Sequence, residues 1–122
     1  MKQTYETGLD GEAAAEQFLC SEKGMICLER RYRTRRGEID LIMMDGNTIV
    51  FIEVKTRKTG VPGNGLLAVT KAKQQKITQA ATFFLMQNRA LNKPIRFDVI
   101  EIWQQEIFYI PNAFQPGGLF YR

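Results

Sequence analysis

The sequence contains no histidine, and this absence restricts the chemistry open to the chain. Histidine is the most frequent general base in enzymes and a common ligand of catalytic zinc, so imidazole catalysis is excluded and a catalytic zinc site nearly so. Cysteine is scarce as well, and Cys20 and Cys27 are spaced for neither a CxxC zinc motif nor a disulfide framework. We therefore predict two free thiols in a reducing compartment.

Long apolar runs are also absent. No segment approaches the roughly 20 apolar residues of a membrane-spanning helix, and the first residues, MKQTYETGLDGE, lack the apolar core of a secretory signal. These features predict a cytoplasmic protein with no membrane partner. A length of 122 residues predicts one domain, residues 1–122. The net charge of +4 is compatible with a polyanionic partner but too mild to establish one.

Two stretches have the composition or the periodicity of helices. Residues Tyr5–Lys23 are rich in Ala, Glu, Gln and Leu, and Gly24 follows where a helix would end. Residues Thr70–Asn88 carry apolar side chains at helical spacing, which predicts a second helix with one buried face. That face is formed by Ile77, Ala80, Ala81, Phe84 and Leu85.

Segments rich in β-branched and aromatic residues predict the strands. They cover residues 25–33, 38–44, 48–56 and 95–103, with a short strand at 106–110. DGN joins the second and third strands in a tight turn, RKTGVPGNG predicts a loop, and PNAFQPGGLFYR predicts an irregular tail. The resulting order is αβββαβ(β). It indicates an α/β fold with a mixed sheet flanked by helices and a parallel crossover through the second helix.

Charged side chains interrupt the apolar hairpin that the second and third strands form. Alternation along a strand places Glu53 and Lys55 on one face of the third strand. In the second strand it places Ile39 and Leu41 on one face and Asp40 on the other. A turn at DGN sets Asp40 across from the region that contains Glu53. We therefore predict that two carboxylates and one ammonium group meet near one end of the sheet.

Two neighbouring carboxylates repel each other, and a divalent cation between them removes that repulsion. Mg²⁺ and Mn²⁺ prefer carboxylate and carbonyl oxygens and retain water, which can attack a phosphodiester. Lys55 would orient that water or stabilise the developing negative charge. The pattern is therefore typical of metal-assisted phosphodiester hydrolysis. A cross-strand salt bridge on a solvated sheet face has the same pattern, and that alternative stays open.

Five segments of the chain together resemble a known family. They are GLDGEAAAEQFL, RRYRTRRGEIDLIMMD, VFIEVKTRK, AVTKAKQQKITQAATFFL and RFDVI, in the order found in the YraN family of predicted endonucleases. Asp40 with Glu53-Val54-Lys55 resembles the PD-(D/E)xK nuclease signature, although Ile39 replaces its proline. The resemblance implies a restriction-endonuclease-like αβββαβ core related to Holliday-junction resolvases, Mg²⁺ or Mn²⁺ as the cofactor, and DNA as the substrate.

The resemblance also implies roles for individual residues. Asp40 and Glu53 would be metal ligands with the Val54 carbonyl as a third, and Lys55 would position water or stabilise the transition state. Glu12 is a further catalytic candidate, because a first-helix glutamate approaches the metal in related nucleases. Helical spacing supports an inward position for it, on one face with Gly8, Ala15 and Leu19. The alternative is an exposed glutamate that pairs within its helix.

Basic residues are concentrated beside the proposed site. Five arginines lie within seven positions just before the Asp40 strand: Arg30, Arg31, Arg33, Arg35 and Arg36. Arg57 and Lys58 follow the ExK triplet. Lys73 and Gln74 match the family's motif at the start of the second helix, and the resemblance implies that they approach the site. Arginine forms bidentate contacts with phosphate, so we predict that this set contacts the DNA backbone. An ordinary solvated charged surface is the alternative.

Three functions follow from these patterns. The first is a Mg²⁺- or Mn²⁺-dependent endonuclease that acts on DNA, including branched or structured DNA, through backbone and shape recognition. The second is a non-catalytic nucleic-acid-binding module with a nuclease-like fold. The third is a small protein-interaction domain in which the tail aromatics Phe114, Phe120 and Tyr121 bind a partner or a second copy as a homodimer.

Overall fold

The computed structural model describes residues 10–58 and 69–115, together with the two-residue strand Gln3–Thr4. Its elements follow the chain as β1 (Gln3–Thr4), α1 (Gly11–Lys23), β2 (Ile26–Arg33), β3 (Glu38–Asp45), β4 (Thr48–Arg57), α2 (Lys71–Gln87), β5 (Ile95–Trp103) and β6 (Glu106–Phe114). Apart from β1, this is the predicted order, and the α/β fold with a mixed sheet flanked by helices is confirmed. Neither described helix is long and apolar enough to cross a membrane.

All described strands belong to one sheet with the order β1-β6-β5-β4-β3-β2. Strands β4 and β5 are parallel, and every other neighbouring pair is antiparallel. Helix α2 connects the parallel pair, which confirms the predicted crossover. Parallel strands need such a connection because the chain must return to the starting edge before it can pair in the same direction.

Each face of the sheet carries one helix and one hydrophobic cluster. Helix α2 covers a face rich in aromatic side chains, where Phe51 stacks on Phe97 with ring centroids 5.4 Å apart and Phe84 packs edge-on against Phe51. Helix α1 covers the other face, where Leu19 and Ile52 are among the fully buried residues. Burial on both faces explains why apolar residues occur at successive positions in β4 and β5, as in Ile49–Ile52 and Val99–Ile100.

Capping residues set the ends of both helices. The Asp10 carboxylate accepts a hydrogen bond from the Ala13 amide, so α1 begins at Gly11 and the predicted start at Tyr5 is wrong. Residues 5–9 lie outside the described residues. Helix α1 ends at Gly24, whose left-handed φ of 68° is the conformation expected of a glycine after a helix. Thr70 caps α2 in the same way as Asp10 caps α1.

Strand β6 is longer than predicted. It continues through Pro111 to Phe114, so the expectation of an irregular PNAF segment is wrong, while residues 116–122 lie outside the described part. Proline is tolerated because β1 pairs only with Ile107 and Glu106, which leaves the outer edge of β6 without a described partner at Pro111. Asn112, with a φ of 51°, donates its amide to the Asp98 carboxylate where the β5–β6 register shifts.

The turn between β2 and β3 lies directly on helix α2. A Cβ atom added at Gly37 would come within 2.5 Å of the Lys76 carbonyl oxygen. We expect Gly37→Ala to lower the free energy of unfolding by about 2 kcal/mol, because two backbones must separate to admit the methyl group. Urea unfolding measures this loss. In Gly46→Ala, where nothing lies within 4 Å, the cost should come from a positive φ alone and reach about 1 kcal/mol. Equal losses in the two variants would contradict the close approach.

Candidate functional site

The candidate site lies at the carboxyl ends of the parallel strands β4 and β5, the edge at which α/β sheets commonly bind ligands. Helix α1 begins here, because Gly11 packs tightly against the side chain of Thr56 on β4. Helix α2 begins here too, since Lys73 in its first turn contacts Glu53. Two helix amino termini therefore point their partial positive charge towards the same edge of the sheet.

The predicted hairpin register is observed. Leu41 pairs with Ile52 and Asp45 with Thr48, so Asp40 comes next to Glu53 on the neighbouring strand. The Val54 amide donates a hydrogen bond of 2.7 Å to Asp40 Oδ2, which turns the Asp40 carboxylate towards β4.

The Asp40 carboxylate lies in an unfavourable electrostatic environment. Burial raises its pKa most, followed by the charge of Glu53, and together with a smaller effect of Glu12 they bring it to about 7 despite the stabilising Val54 amide. A raised pKa means that the ionised form of the carboxyl group is destabilised, and a nearby cation would stabilise that form. The structure thus brings Asp40 and Glu53 together.

The alternation of side chains breaks at Asp40, and the predicted faces were partly wrong. Ile39 packs into the cluster under α2 together with Ile42, whereas Leu41 packs into the cluster under α1. Across from this point, Arg31 on β2 has a left-handed φ of 49°. The pleat of β3 is interrupted at Asp40, whose side chain bonds to β4 and which lies across from the strained Arg31. Ile39 and Leu41 therefore lie on opposite faces of the sheet.

Glu53 is buried at 6% exposure and is held by two ammonium groups. Lys73 Nζ lies 2.6 Å and Lys55 Nζ 3.5 Å from Glu53 Oε2. The neighbouring ammonium group of Lys73 and burial lower the pKa of Lys55. Lys55 therefore meets Glu53 as predicted. Lys73 also approaches the site, as the resemblance implied, but its contact with Glu53 was not predicted because it depends on how α2 docks on the sheet.

The Lys73–Glu53 contact gives a prediction about stability. Lys73→Ala should lower the free energy of unfolding by about 1–2 kcal/mol, because the buried Glu53 would keep only the longer contact with Lys55. Urea unfolding at neutral pH provides the measurement. Lys71→Ala, an exposed lysine at the start of the same helix, should change stability by less than about 0.5 kcal/mol. A loss as small in Lys73→Ala would show that the pair contributes no stability.

Glu12 lies at the edge of this site. Its carboxylate accepts a 2.7 Å hydrogen bond from Arg31 Nε, and both residues line a small cavity of about 130 Å³ together with Asp40. Ala15 and Leu19 on the same helix face are fully buried, whereas Gly8 lies outside the described residues. The partner of Glu12 is thus on β2 and not within its own helix.

The arginine cluster divides into two parts. Arg30 forms a bidentate pair with Glu16, Arg31 pairs with Glu12, and Arg33 lies 3.5 Å from Glu38. Arg35 and Arg36, on the exposed turn before β3, form no ion pair with any residue of the described ranges 10–58 and 69–115. The turn arginines are therefore better placed to receive an external anion than the strand arginines.

The remaining predicted basic and polar residues lie around the same edge. Arg57 Nε is 3.6 Å from Glu101 Oε2, and Lys58 is exposed, with its backbone carbonyl bonded to Gln104. Gln74 donates to the Val69 carbonyl and so holds the chain that enters α2. Glu101 is completely buried and was not predicted. The sequence did contain an indication of this buried acid, because Glu101 stands two residues after Val99 in IRFDVIEIW and so shares a strand face with an apolar residue.

A separate buried acid lies on the other face of β5. Asp98 accepts hydrogen bonds from the Arg96 guanidinium and the Tyr109 hydroxyl, and Arg96 also reaches Asp45 at 3.1 Å. Burial and the neighbouring Asp98 raise the pKa of Tyr109. Asp45 ends β3 far along the strand from Asp40, so this network ties strands together away from the candidate site.

The donor set is suited to a hard divalent cation. Two adjacent carboxylates, of which Asp40 has a raised pKa, leave negative charge that Mg²⁺ or Mn²⁺ would neutralise. Across the described residues, no group of three or more Asp, Glu, His or Cys side chains is arranged to hold a metal. Mg²⁺ commonly uses one or two carboxylates and completes its coordination with water and substrate, so the pair is sufficient for that ion.

Comparison with known proteins gives consistent matches along the chain. The family model described as Uncharacterised protein family UPF0102 matches residues 11–102. A UPF0102 protein of Saccharophagus degradans is 47% identical over 115 residues, covering 93% of this chain and 97% of the relative. One from Colwellia psychrerythraea is 42% identical over 109 residues, 84% of each chain. Among solved structures, Pyrococcus furiosus SfsA in complex with Ca²⁺ matches with a TM-score of 0.36 and 11% identity, over 80% of this chain and 58% of SfsA.

Proposed function

The chain belongs to the UPF0102 family, which is the YraN-like family, and we propose that it is a metal-dependent endonuclease that hydrolyses DNA phosphodiester bonds. The proposal places the protein in the PD-(D/E)xK superfamily, with a restriction-endonuclease-like core. One observation carries it: Asp40 and Glu53, on neighbouring strands, crowd two carboxylates together, and Lys55 projects to the same point.

Asp40 and Glu53 would hold Mg²⁺ or Mn²⁺, with the Val54 carbonyl as a third candidate ligand. A divalent cation held there supplies positive charge against the negative charge that develops on a phosphodiester under attack by water. The Val54 amide fixes the orientation of the Asp40 carboxylate, and Lys73 fixes that of Glu53. Preorganised ligands of this kind save the reorganisation that flexible ones would require.

Lys55 is the candidate to act on the attacking water or on the phosphate. Its side chain is 24% exposed and so can reach a substrate at the mouth of the site. Lys73 lowers the pKa of Lys55, so the proton of Lys55 is more easily exchanged than that of an isolated lysine. Glu12, held by Arg31 beside Asp40, would adjust the charge of the site from the side of α1.

DNA is the proposed polyanionic partner. Both helix amino termini face the site, and Arg35 and Arg36, which form no ion pair within the described residues 10–58 and 69–115, flank it. Each of these groups favours phosphate. These contacts would follow the backbone and shape of the duplex and carry little base information. Branched or otherwise structured DNA is therefore the proposed substrate class.

A second candidate is a non-catalytic nucleic-acid-binding module with the same fold. The observation in its favour is that Lys73 lies 2.6 Å from Glu53 and already neutralises one of the two carboxylates. A protein that had lost metal binding could keep such a pair for stability alone. Cleavage separates the two candidates.

The test is cleavage of supercoiled plasmid and of a four-way DNA junction. Wild type should nick DNA with Mg²⁺ or Mn²⁺ and stop when a chelator is added, whereas Glu53→Gln should be inactive. Glu22→Gln, the same substitution at an exposed position of α1, should cleave as well as wild type. Equal activity in all three proteins would indicate a contaminating nuclease. DNA binding without cleavage, unchanged in Glu53→Gln, would support the binding module instead.

A further inference from the structure

A groove of about 570 Å³ lies beside the candidate site and is not used by the proposed chemistry. One wall is the turn between β2 and β3, with Thr34, Arg35 and Arg36, and the other is the outer side of α2. The volume is within the range of about 300–1,000 Å³ that is typical of small-molecule sites. The groove can therefore hold a group the size of a nucleotide.

The α2 wall exposes large apolar side chains. Phe83 is 48% and Met86 58% exposed, and both line the groove. They lie three residues apart, hence on one face of the helix, while the next residues in sequence, Phe84 and Leu85, fill the core. Packing in the core thus explains the apolar side chains of Phe84 and Leu85. It does not explain those of Phe83 and Met86, which are exposed.

The charge of the groove indicates the chemistry of its occupant. Arg35 and Arg36 are exposed guanidinium groups, and no carboxylate is among the described residues that line the groove. An apolar floor under two cations fits a ligand with flat, apolar faces joined by anions. Single-stranded nucleic acid has this composition, because its bases stack on aromatic side chains and its phosphates bind arginine. A purely apolar peptide would leave both guanidinium groups without an anion.

Helix α2 connects the groove with the candidate site. Gly37 fixes the turn against Lys76 on α2, and Lys73 on the same helix touches Glu53. At 1.5 Å per residue, Gln79 at the near end of the groove lies about 9 Å along the helix from Lys73, and Met86 at the far end about 20 Å. A strand of a few nucleotides spans that distance.

From this arrangement we propose that the groove binds an unpaired segment of the DNA substrate, with bases on Phe83 and Met86 and phosphates on Arg35 and Arg36. The proposal rests on the proposed nuclease function and adds a substrate class to it, namely DNA with a single-stranded tail or branch next to a duplex. Recognition of the unpaired segment is tolerant of sequence, because every base has a face that stacks.

The experiment compares binding of a fluorescent duplex that carries a thymidine tail with binding of the same duplex with blunt ends. Fluorescence anisotropy is measured with chelator present, so that no DNA is cut. Phe83→Ala should weaken binding of the tailed duplex about tenfold or more and leave the blunt duplex unchanged. Phe83→Trp, which keeps a stacking surface, should retain the wild-type preference for the tail. Leu91→Ala, at an apolar residue 59% exposed outside the groove, is the matched control.

The outcomes separate this inference from the proposed nuclease function. Equal affinity of Phe83→Ala and Leu91→Ala for the tailed duplex overturns the groove assignment, even if wild type cuts DNA with Mg²⁺. A tail preference that depends on Phe83 supports the assignment, even if no cleavage is found. Self-association of wild type that is insensitive to salt and lost in Phe83→Ala overturns it in favour of a second copy in the groove.

Discussion

Asp40→Asn should lower the rate of DNA cleavage by about 10³-fold or more while the protein remains folded. The amide keeps the shape of the carboxylate and an oxygen that accepts from the Val54 amide, so the β3–β4 contact is preserved. It removes the charge that would hold a divalent cation. Metal stabilisation of a developing charge amounts to several kcal/mol, and each 1.36 kcal/mol changes the rate about tenfold. Single-turnover cleavage of a labelled junction measures the loss.

The control for this variant lies on the same strand. Asp45→Asn carries the same substitution at the far end of β3, where Asp45 contacts Arg96 and not the candidate site. It should cleave DNA at the wild-type rate. A rate in Asp40→Asn within about tenfold of wild type would mean that Asp40 holds no metal. Removal of a residue that only hydrogen-bonds to a metal ligand already costs about 10- to 100-fold, and loss of a ligand should cost more.

Local patterns predicted most of the fold. IRFDVIEIW was predicted as a strand with the bounds that β5 has, because β-branched and aromatic residues make up most of it. The second helix was predicted within one residue at each end, since Thr70 and Asn88 are its caps. The errors arose where tertiary contacts overrule local preference. PNAF continues β6 despite its proline, because β1 pairs with Glu106 and Ile107 and no described strand pairs with the outer edge of β6 at Pro111. The backbone amide that proline lacks is therefore not required there.

The candidate site was predictable where it depends on strand register. A short turn fixes which residues of β3 and β4 meet, and from that Asp40, Glu53 and Lys55 were expected together. For Lys73 only an approach to the site was expected from the resemblance, and its contact with Glu53 was not, because Lys73 belongs to a helix docked across the sheet. Nor was the pairing of Arg30 and Arg31 with acids of α1 predictable, since sequence spacing contains no information on which helix face lies over which strand. The groove beside Phe83 also results from helix docking.

The charge of Asp40 should also make the protein less stable as the pH rises. Burial and the charge of Glu53 raise the pKa of Asp40 from 3.8 to about 7 in the folded protein. Between those values the folded state binds more protons than the unfolded state, so the free energy of unfolding falls with increasing pH and levels off above about 7.

The amide in Asp40→Asn does not titrate. The free energy of unfolding of this variant relative to wild type should therefore increase as the pH rises from 3.8 to about 7. At 1.36 kcal/mol for each pKa unit, and after allowance for solvent screening, the gain should reach about 3 kcal/mol at pH 8 and nearly vanish at pH 3. Urea unfolding of both proteins between these pH values measures the difference, with Asp45→Asn as the matched carboxylate on the same strand.

Mg²⁺ connects this stability effect with the proposed metal site. A cation that binds the folded protein stabilises it by RT ln(1 + [Mg²⁺]/Kd), so wild type at pH 8 should gain stability on addition of Mg²⁺ and Asp40→Asn should not. The gain should shrink towards pH 5, where Asp40 is protonated and protons compete with the metal. Parallel pH curves for the two proteins would mean that burial and Glu53 do not raise the pKa of Asp40. A Mg²⁺ effect of the same size in both would place the cation elsewhere.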